Sequence, residues 1–76
     1  MPKPHKQSVR EVLATNVRNE RLSREWSQEG LAAKADLSQR QISQIESAIP
    51  ASSVDSVEKL ARAFSISESD LLRRKG

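Results

Sequence analysis

Serine recurs in this chain at positions where helices begin, and that recurrence limits the fold more than any other feature of the sequence. Ser8, Ser38 and Ser67 are each followed three residues later by Glu, Gln or Asp. At this spacing the serine hydroxyl accepts a hydrogen bond from a free N–H of the first helical turn, and the later side chain reaches back to the serine N–H. Ser27 and Ser53 precede further helical segments and can cap them in the same way. The sequence therefore predicts five helices.

Apolar residues spaced by three or four positions set the limits of these helices. Val9, Leu13 and Val17 form one such stripe, and a second stripe runs from Val54 to Phe64, so we expect both to be buried. Residues that favour strands are scarce. The prediction is an all-α, compact five-helix domain. Its helices, counted from the capping serines, span residues 8–22, 27–35, 38 to 46 or 47, and 53–65, with a last turn or two after Ser67 that carries Leu71 and Leu72.

Composition excludes several classes of protein. The chain has 76 residues, no cysteine and one histidine, so zinc-finger ligand sets and thiol nucleophiles are absent. A chain of this size is long enough for one small domain only. On folding, such a domain buries about 60% of the surface that its unfolded chain exposes. No apolar run approaches the roughly 20 residues of a membrane span. We expect a soluble, cytoplasmic protein without enzymatic activity, metal or cofactor, with a flexible basic arm at 1–7, a domain at 8–73 and a disordered tail at 74–76.

Positive charge is concentrated near the N-terminus. The chain has 13 basic and 10 acidic residues, and residues 1–24 hold six of the basic and two of the acidic ones. This balance permits a nucleic-acid partner without requiring one. Lys3, Lys6 and Arg10 either lie along a phosphate backbone or minor groove, or keep the N-terminal segment soluble. The sequence leaves that choice open.

The second and third helices follow each other with almost no connection between them. Only Asp36 and Leu37 separate the second helix from the cap of the third. Such a connection is too short for an antiparallel return and is typical of a helix-turn-helix, whose helices cross at roughly 90 to 120°. Asp is one of the few residues besides Gly that tolerate the left-handed backbone of a sharp turn.

The third helix has an apolar side and a polar side. Ile42 and Ile45 are expected to face the core, and no acidic residue precedes Glu46 in this helix. Arg bonds guanine O6 and N7, and Gln bonds adenine N6 and N7, so the polar side suits a reader of the major groove. A solvated surface helix is the alternative. The residues on or near the exposed side are Gln39, Arg40, Ser43 and Gln44.

These segments resemble a known family of DNA-binding proteins. Trp26–Ala32 and Ala35–Glu46 are similar to the second and third helices of the phage repressor and Cro type of helix-turn-helix, also called the Xre type. Residues 60–67 are similar to the fourth helix of that family and its exit. The resemblance covers roughly residues 9–72. It implies the same five-helix fold and a DNA-binding function.

The chain departs from the family pattern in three places. Members usually carry Gly at the turn and just after the third helix, where this chain has Asp36 and Ala48. If the third helix ends as it does in the family, Ala48 adopts the left-handed backbone conformation, which costs about 1 kcal/mol in an alanine. The alternative is that the helix ends in another conformation. The loop at 48–52 lacks the basic residues common in members, so any phosphate contacts there come from N–H groups and Ser hydroxyls.

The resemblance also implies roles for individual residues. Gln28 matches a Gln that bonds phosphate and braces the recognition helix, and a plain surface Gln is the alternative. Ser38 and Ser27 can each cap a helix and contact phosphate, and capping alone would account for either residue. Arg21 and Glu46 match an Arg and a Glu that form an ion pair between the first and third helices in some members. The alternative, given the same weight, is that both side chains are solvated and unpaired. The expected DNA-binding residues are Gln28, Ser38, Gln39, Arg40, Gln41, Ser43 and Gln44.

The leading functional hypothesis is a sequence-specific transcription regulator that binds a pseudo-palindrome in double-stranded DNA as a homodimer. Ile66, Leu71 and Leu72 are the expected dimer interface, because a small monomer covers such residues only in part. The alternative is a protein-interaction module on the same fold, such as a toxin-binding antitoxin, with weak DNA affinity. A hydrolase is rejected, since no catalytic or metal-ligand set is apparent. The sequence does not distinguish a phage repressor from a restriction-modification controller or an antitoxin.

Overall fold

A computed structural model describes residues 8–74 and shows five helices in this part of the chain. The whole of the predicted basic arm, residues 1–7, and the last two residues of the predicted tail lie outside the described residues. Within residues 8–74 no helix is long and apolar enough to cross a membrane. The all-α, five-helix prediction is confirmed. The helices are α1 (Val9–Ser23), α2 (Gln28–Ala35), α3 (Gln39–Glu46), α4 (Val54–Phe64) and α5 (Glu68–Leu71).

Every helix begins directly after a serine that caps it. The serine Oγ accepts from the N–H three residues later, at distances from 2.9 Å at Ser27 to 3.2 Å at Ser8. At Ser8 the Glu11 carboxylate also accepts from the serine N–H at 2.8 Å, which completes a capping box. At Ser53 the hydroxyl of Ser56 does the same at 2.7 Å. The predicted helix starts are therefore correct, because each depends on a contact between residues three positions apart.

Four helices end on residues with a left-handed backbone, and none of these residues is glycine. Their φ angles lie between 56° and 60°, and the residues are Glu25, Asp36, Ala48 and Ser65. After α3, the N–H of Ala48 donates to the Ile45 carbonyl at 3.1 Å, and the N–H of Ile49 donates to the Gln44 carbonyl at 2.9 Å. This is the Schellman arrangement, which the family builds with Gly. The third helix therefore ends as it does in the family, and Ala48 adopts the left-handed conformation at a cost in free energy.

All five helices contribute buried apolar residues to one core, in which α3 packs on α1 and α2, and α4 packs on α2 and α5. Leu31, Ile42, Leu60 and Leu71 are each 0% exposed. At one edge the ring of Trp26 stacks on Phe64, with centroids 5.9 Å apart and an interplanar angle of 11°. The Arg24 guanidinium lies over both rings and donates to the Phe64 carbonyl at 2.8 Å. The end of α1 is thereby fixed to the end of α4.

The expected dimer interface requires a correction, because Leu71 belongs to the core. Buried Asn16 donates from its amide to the main-chain carbonyls of Leu71 and Arg73, each at 2.8 Å, and so holds the end of α5 against α1. The Leu71 side chain then has no surface to offer a second copy. Ile66 and Leu72 are half-buried and pack against the core.

The apolar stripes of α1 and α4 begin later than the spacing predicts. Val9 is 58% exposed and Val54 is 87% exposed, although the spacing places both on a buried stripe. Each is the first residue of its helix. Within residues 8–74 no neighbouring element covers these first turns, so the buried part of each stripe begins after them. Spacing along one helix gives the direction a side chain faces and not how far the surrounding helices extend.

Ala48→Gly tests the strain at the end of α3. Glycine adopts the left-handed backbone without a Cβ clash, so the variant should gain about 1 kcal/mol in free energy of unfolding. Urea denaturation followed by circular dichroism measures this. Ala33→Gly, at an exposed position inside α2, is the matched control and should lose about 0.5 to 1 kcal/mol. A loss at Ala48 as large as the loss at Ala33 would contradict the assigned strain.

Candidate nucleic-acid interface

Residues 36–38 join α2 to α3 in a tight turn. Asp36 has φ 56° and ψ 46°, and the N–H of Leu37 donates to the Ala32 carbonyl at 2.9 Å. The Leu37 side chain packs against the core and fixes the turn from inside. So short a connection holds two helices at a large angle, which makes α2 and α3 a helix-turn-helix.

The two faces of α3 differ sharply in burial. Ile42 is 0% exposed and Ile45 is 1% exposed, as expected for the face that packs on α1 and α2. The first turn of α3 contains no acidic residue. The outer face can therefore approach phosphates without repulsion from its own carboxylates. The expected DNA-binding residues of this region divide into the exposed Ser38, Gln39, Arg40 and Ser43 and the half-buried Gln41 and Gln44.

Glu46, at the end of α3, is held by a buried ion pair with Arg21 of α1. The Arg21 Nε donates to one carboxylate oxygen at 2.7 Å, and a terminal nitrogen donates to the other at 2.9 Å. The Glu46 side chain is 2% exposed and the Arg21 side chain 13% exposed. The hydrogen bond to Glu46 raises the pKa of Arg21 above its usual value, although burial opposes the shift. Two parallel bonds fix the angle of α3 to α1 better than one bond does.

Arg21 reaches the start of α2 as well as the end of α3. Its remaining terminal nitrogen donates to the Trp26 carbonyl at 2.9 Å, just before the cap of α2. From α2 itself, the Gln28 amide donates to Glu46 Oε1 at 3.2 Å. We call these four residues, Arg21, Trp26, Gln28 and Glu46, the Glu46 cluster. It joins three helices through one carboxylate.

Gln28 and the serine caps occupy positions from which they can also contact a ligand. The Gln28 amide nitrogen has two hydrogens, and one is directed to Glu46, so the second is available for an acceptor such as phosphate. Ser38 Oγ accepts from the Gln41 N–H at 3.1 Å and keeps its own O–H as a donor. Within residues 8–74 no group of three His, Cys, Asp or Glu side chains could hold a metal ion.

A model of the helix-turn-helix family matches residues 17–71, which include all of α2 and α3 and the whole of α4. This match covers most of the chain. The chain belongs to the Xre-type helix-turn-helix family. The resemblance stated from the sequence is therefore confirmed.

Relatives of this Xre-type chain include proteins named as regulators. A hypothetical transcription factor of Neisseria meningitidis serogroup B (strain ATCC BAA-335 / MC58) is 35% identical over 69 residues, which cover 91% of this chain and 65% of that relative. The crystal structure of the hypothetical transcription factor NHTF from Neisseria has a TM-score of 0.84 at 33% identity, and the match covers 96% of this chain and 84% of that one.

Two other solved structures share the Xre-type fold. The competence regulator ComR from Streptococcus vestibularis has a TM-score of 0.77 at 29% identity, over 86% of this chain and 22% of ComR. The restriction-modification controller protein C.Esp1396I has a TM-score of 0.76 at 23% identity, over 88% of this chain and 90% of the controller. At that lower identity the likeness concerns the fold alone.

Arg18 also contacts the end of α3, a role that was not predicted from the sequence. Its guanidinium donates to the Glu46 main-chain carbonyl at 2.9 Å, and its Nε lies 3.8 Å from the Glu46 carboxylate. A cation at a helix C-terminus is favourable because the free carbonyls there carry partial negative charge. The side chain is 53% exposed. Its position three residues before Arg21, on the same side of α1, was the available indication.

Glu46→Gln tests the cluster that anchors the end of α3. The amide cannot balance the charge of Arg21, so we expect a loss of about 2 to 4 kcal/mol in free energy of unfolding. Glu58→Gln is the matched control, because Glu58 pairs with Arg62 at 3.6 Å while both side chains are more than half exposed. The control should lose less than about 0.5 kcal/mol. Equal losses in chemical denaturation would show that the buried pair contributes no more than a surface pair.

Proposed function

We propose that this chain is a sequence-specific transcription regulator that binds double-stranded DNA and places α3 in the major groove. The observation that carries the proposal is the exposed, acid-free polar face of α3 on a helix whose opposite face is fixed by the Glu46 cluster. Specific recognition requires side chains held at fixed positions, since each base edge accepts only a narrow geometry. Membership of the Xre-type family supports the same function.

The side chains of α3 supply the chemistry that base recognition needs. The exposed Arg40 can donate two hydrogen bonds to guanine O6 and N7. Gln39 and Gln44 can each donate to and accept from adenine. Ser43 is small enough to bond either a base edge or a phosphate, and the half-buried Gln41 lies at the margin of the exposed face. Base contacts are assigned first to Arg40 and Gln44.

Phosphate contacts are assigned to groups at the edges of the recognition helix. Gln28 and Ser38 lie at the starts of α2 and α3, where free N–H groups and the helix dipole favour an anion. The basic N-terminal residues Lys3, Lys6 and Arg10 add charge that does not depend on base sequence. These groups raise affinity and fix the register, while α3 selects the sequence.

We further propose that the protein acts as a homodimer on a pseudo-palindromic operator in the cytoplasm. A single domain with one recognition helix makes few base contacts, and a twofold axis places two such helices about 34 Å apart, one turn of DNA. The half-buried Ile66 and Leu72 support a contact between copies near the junction of α4 and α5. Leu71 takes no part in it.

Selection of bound sequences from random DNA, followed by titration at two salt concentrations, tests the function. We expect one preferred site bound at least about 10³-fold more tightly than random DNA. Its affinity should fall steeply with salt, because binding releases counterions. Equal and weak affinity for all sequences would overturn the proposal and favour a protein-interaction module such as a toxin-binding antitoxin.

Arg40→Ala should lose about 1 to 3 kcal/mol of binding free energy on the selected site and relax base preference at one position. Fluorescence anisotropy on selected and random duplexes measures both effects. Arg62→Ala is the matched control, because Arg62 is an exposed arginine of α4 that the proposal places outside the interface. If Arg40→Ala weakens binding to selected and random DNA by the same factor, Arg40 contacts the backbone and not a base.

Deleting residues 1–6 should weaken binding to all sequences equally, because it removes Lys3 and Lys6 and leaves α3 intact. The slope of log affinity against log salt should fall by about 0.9 for each removed charge that contacts phosphate. The ratio of selected to random affinity should stay constant. An unchanged slope would exclude this segment from the DNA interface.

A further inference from the structure

Arg18 has more hydrogen-bond donors than its contacts within residues 8–74 use. One terminal nitrogen of its guanidinium donates to the Glu46 carbonyl at 2.9 Å, and its Nε lies 3.8 Å from Glu46 Oε1, too far for a hydrogen bond. A guanidinium has five N–H donors in a fixed plane. The side chain is 53% exposed, so the remaining donors are accessible to a ligand.

The positive charge of Arg18 is not balanced by a carboxylate of its own. Three arginines follow one another at three-residue spacing near the end of α1, namely Arg18, Arg21 and Arg24. Arg24 pairs with Glu20 at 2.7 Å. Arg21 donates to both carboxylate oxygens of Glu46. Arg18 lies near a carboxylate that Arg21 already neutralises, so one positive charge remains at the end of α3.

The chain that follows α3 supplies no cation to this region. No lysine or arginine occurs between Arg40 and Lys59, a stretch that includes the end of α3, the loop to α4 and the first turn of α4. A protein that lies along a DNA backbone gains most of its sequence-independent affinity from Lys and Arg side chains that neutralise phosphates. The fold brings such a side chain to the end of α3 from α1, in the form of Arg18.

The donors of Arg18 lie beside those of Gln28. The Gln28 amide nitrogen is 3.2 Å from Glu46 Oε1, and Arg18 Nε is 3.8 Å from the same oxygen. The two nitrogens therefore lie around one atom, although the residues belong to different helices. Glu46 offers little repulsion to an anion there, because Arg21 balances its charge and its side chain is 2% exposed. Both side chains keep N–H groups that can reach an acceptor outside the protein.

We propose that Arg18 and Gln28 together bind one phosphate of the DNA backbone, in which Arg18 supplies the charge and Gln28 a second hydrogen bond. This inference rests on the proposed DNA-binding function and adds Arg18 to its phosphate contacts. A guanidinium suits this role because its forked donors match the oxygens of a phosphate. The same guanidinium binds the Glu46 carbonyl, so the phosphate is linked directly to the end of α3. Such a contact fixes the register of α3 on the duplex.

Arg18→Gln tests the charge, with binding to random duplex DNA measured by fluorescence anisotropy at several salt concentrations. Glutamine can still donate to the Glu46 carbonyl, but it carries no charge. We expect affinity for random DNA to fall, and the slope of log affinity against log salt to fall by about 0.9. Arg18→Lys keeps the charge and should keep the wild-type slope. Arg62→Gln, at a side chain 76% exposed on α4, is the matched control and should also keep that slope.

The salt slope separates a phosphate contact from a purely structural role of Arg18. If Arg18 only holds the end of α3, Arg18→Gln should change the ratio of selected to random affinity and leave the slope on random DNA at its wild-type value. That result would overturn the proposal. Circular dichroism at the assay temperature shows whether each variant is folded.

Neutral phosphates locate the contact on the DNA and leave the wild-type protein unaltered. Methylphosphonate replaces the backbone phosphates of the selected site one at a time, and each replacement removes one charge at a known position. One replacement should weaken wild-type binding about tenfold, because it removes a charge-assisted hydrogen bond. At that position the loss should be smaller in both Arg18→Gln and Gln28→Ala. If the two variants reduce the loss at different positions, the residues do not share a phosphate, and the proposal is wrong.

The wild type distinguishes failure of this proposal from failure of the proposed function. A wild type that binds no duplex at any salt concentration would overturn both the DNA-binding function and the role of Arg18. If the wild type binds DNA with a steep salt dependence and Arg18→Gln keeps the same slope, the role of Arg18 alone is overturned.

Discussion

The Glu46 carboxylate is almost inaccessible to solvent, and its contacts join the end of α3 to both helices on which α3 packs. Apolar contacts of Ile42 and Ile45 hold α3 against the core, but such contacts are not directional. The paired hydrogen bonds from Arg21 add direction, because a guanidinium and a carboxylate share one plane. The outer face of α3 is therefore presented at one angle, on which any reading of base edges depends.

A small chain with one apolar core has little stability to spare, so local contacts matter at every helix end. Serine caps all five helix starts, and left-handed residues other than glycine end four helices. The first feature stabilises the fold, and the second opposes it in part at Ala48. The chain tolerates that strain because the Schellman hydrogen bonds that follow α3 satisfy carbonyls that would otherwise lack partners.

Helix starts, the turn at Asp36 and the inner face of α3 were predictable, since each depends on residues within four positions of one another. The burial of Leu71 was not, because it requires Asn16 of α1 to hold the end of α5 across 55 positions of sequence. The exposure of Val9 and Val54 likewise depends on where neighbouring helices stop. Arg18 was missed because it contacts a main-chain carbonyl, and no residue type in the sequence marks that acceptor.

The central claim is that the Glu46 cluster orients α3 for base recognition. The most direct test compares Arg21→Lys with wild type on selected and random DNA, at a temperature where circular dichroism shows both to be folded. Lysine keeps the charge but cannot form the paired bonds. Affinity for selected DNA should fall at least about tenfold while affinity for random DNA stays constant, because phosphate attraction is unchanged. An unchanged ratio of selected to random affinity would contradict the claim.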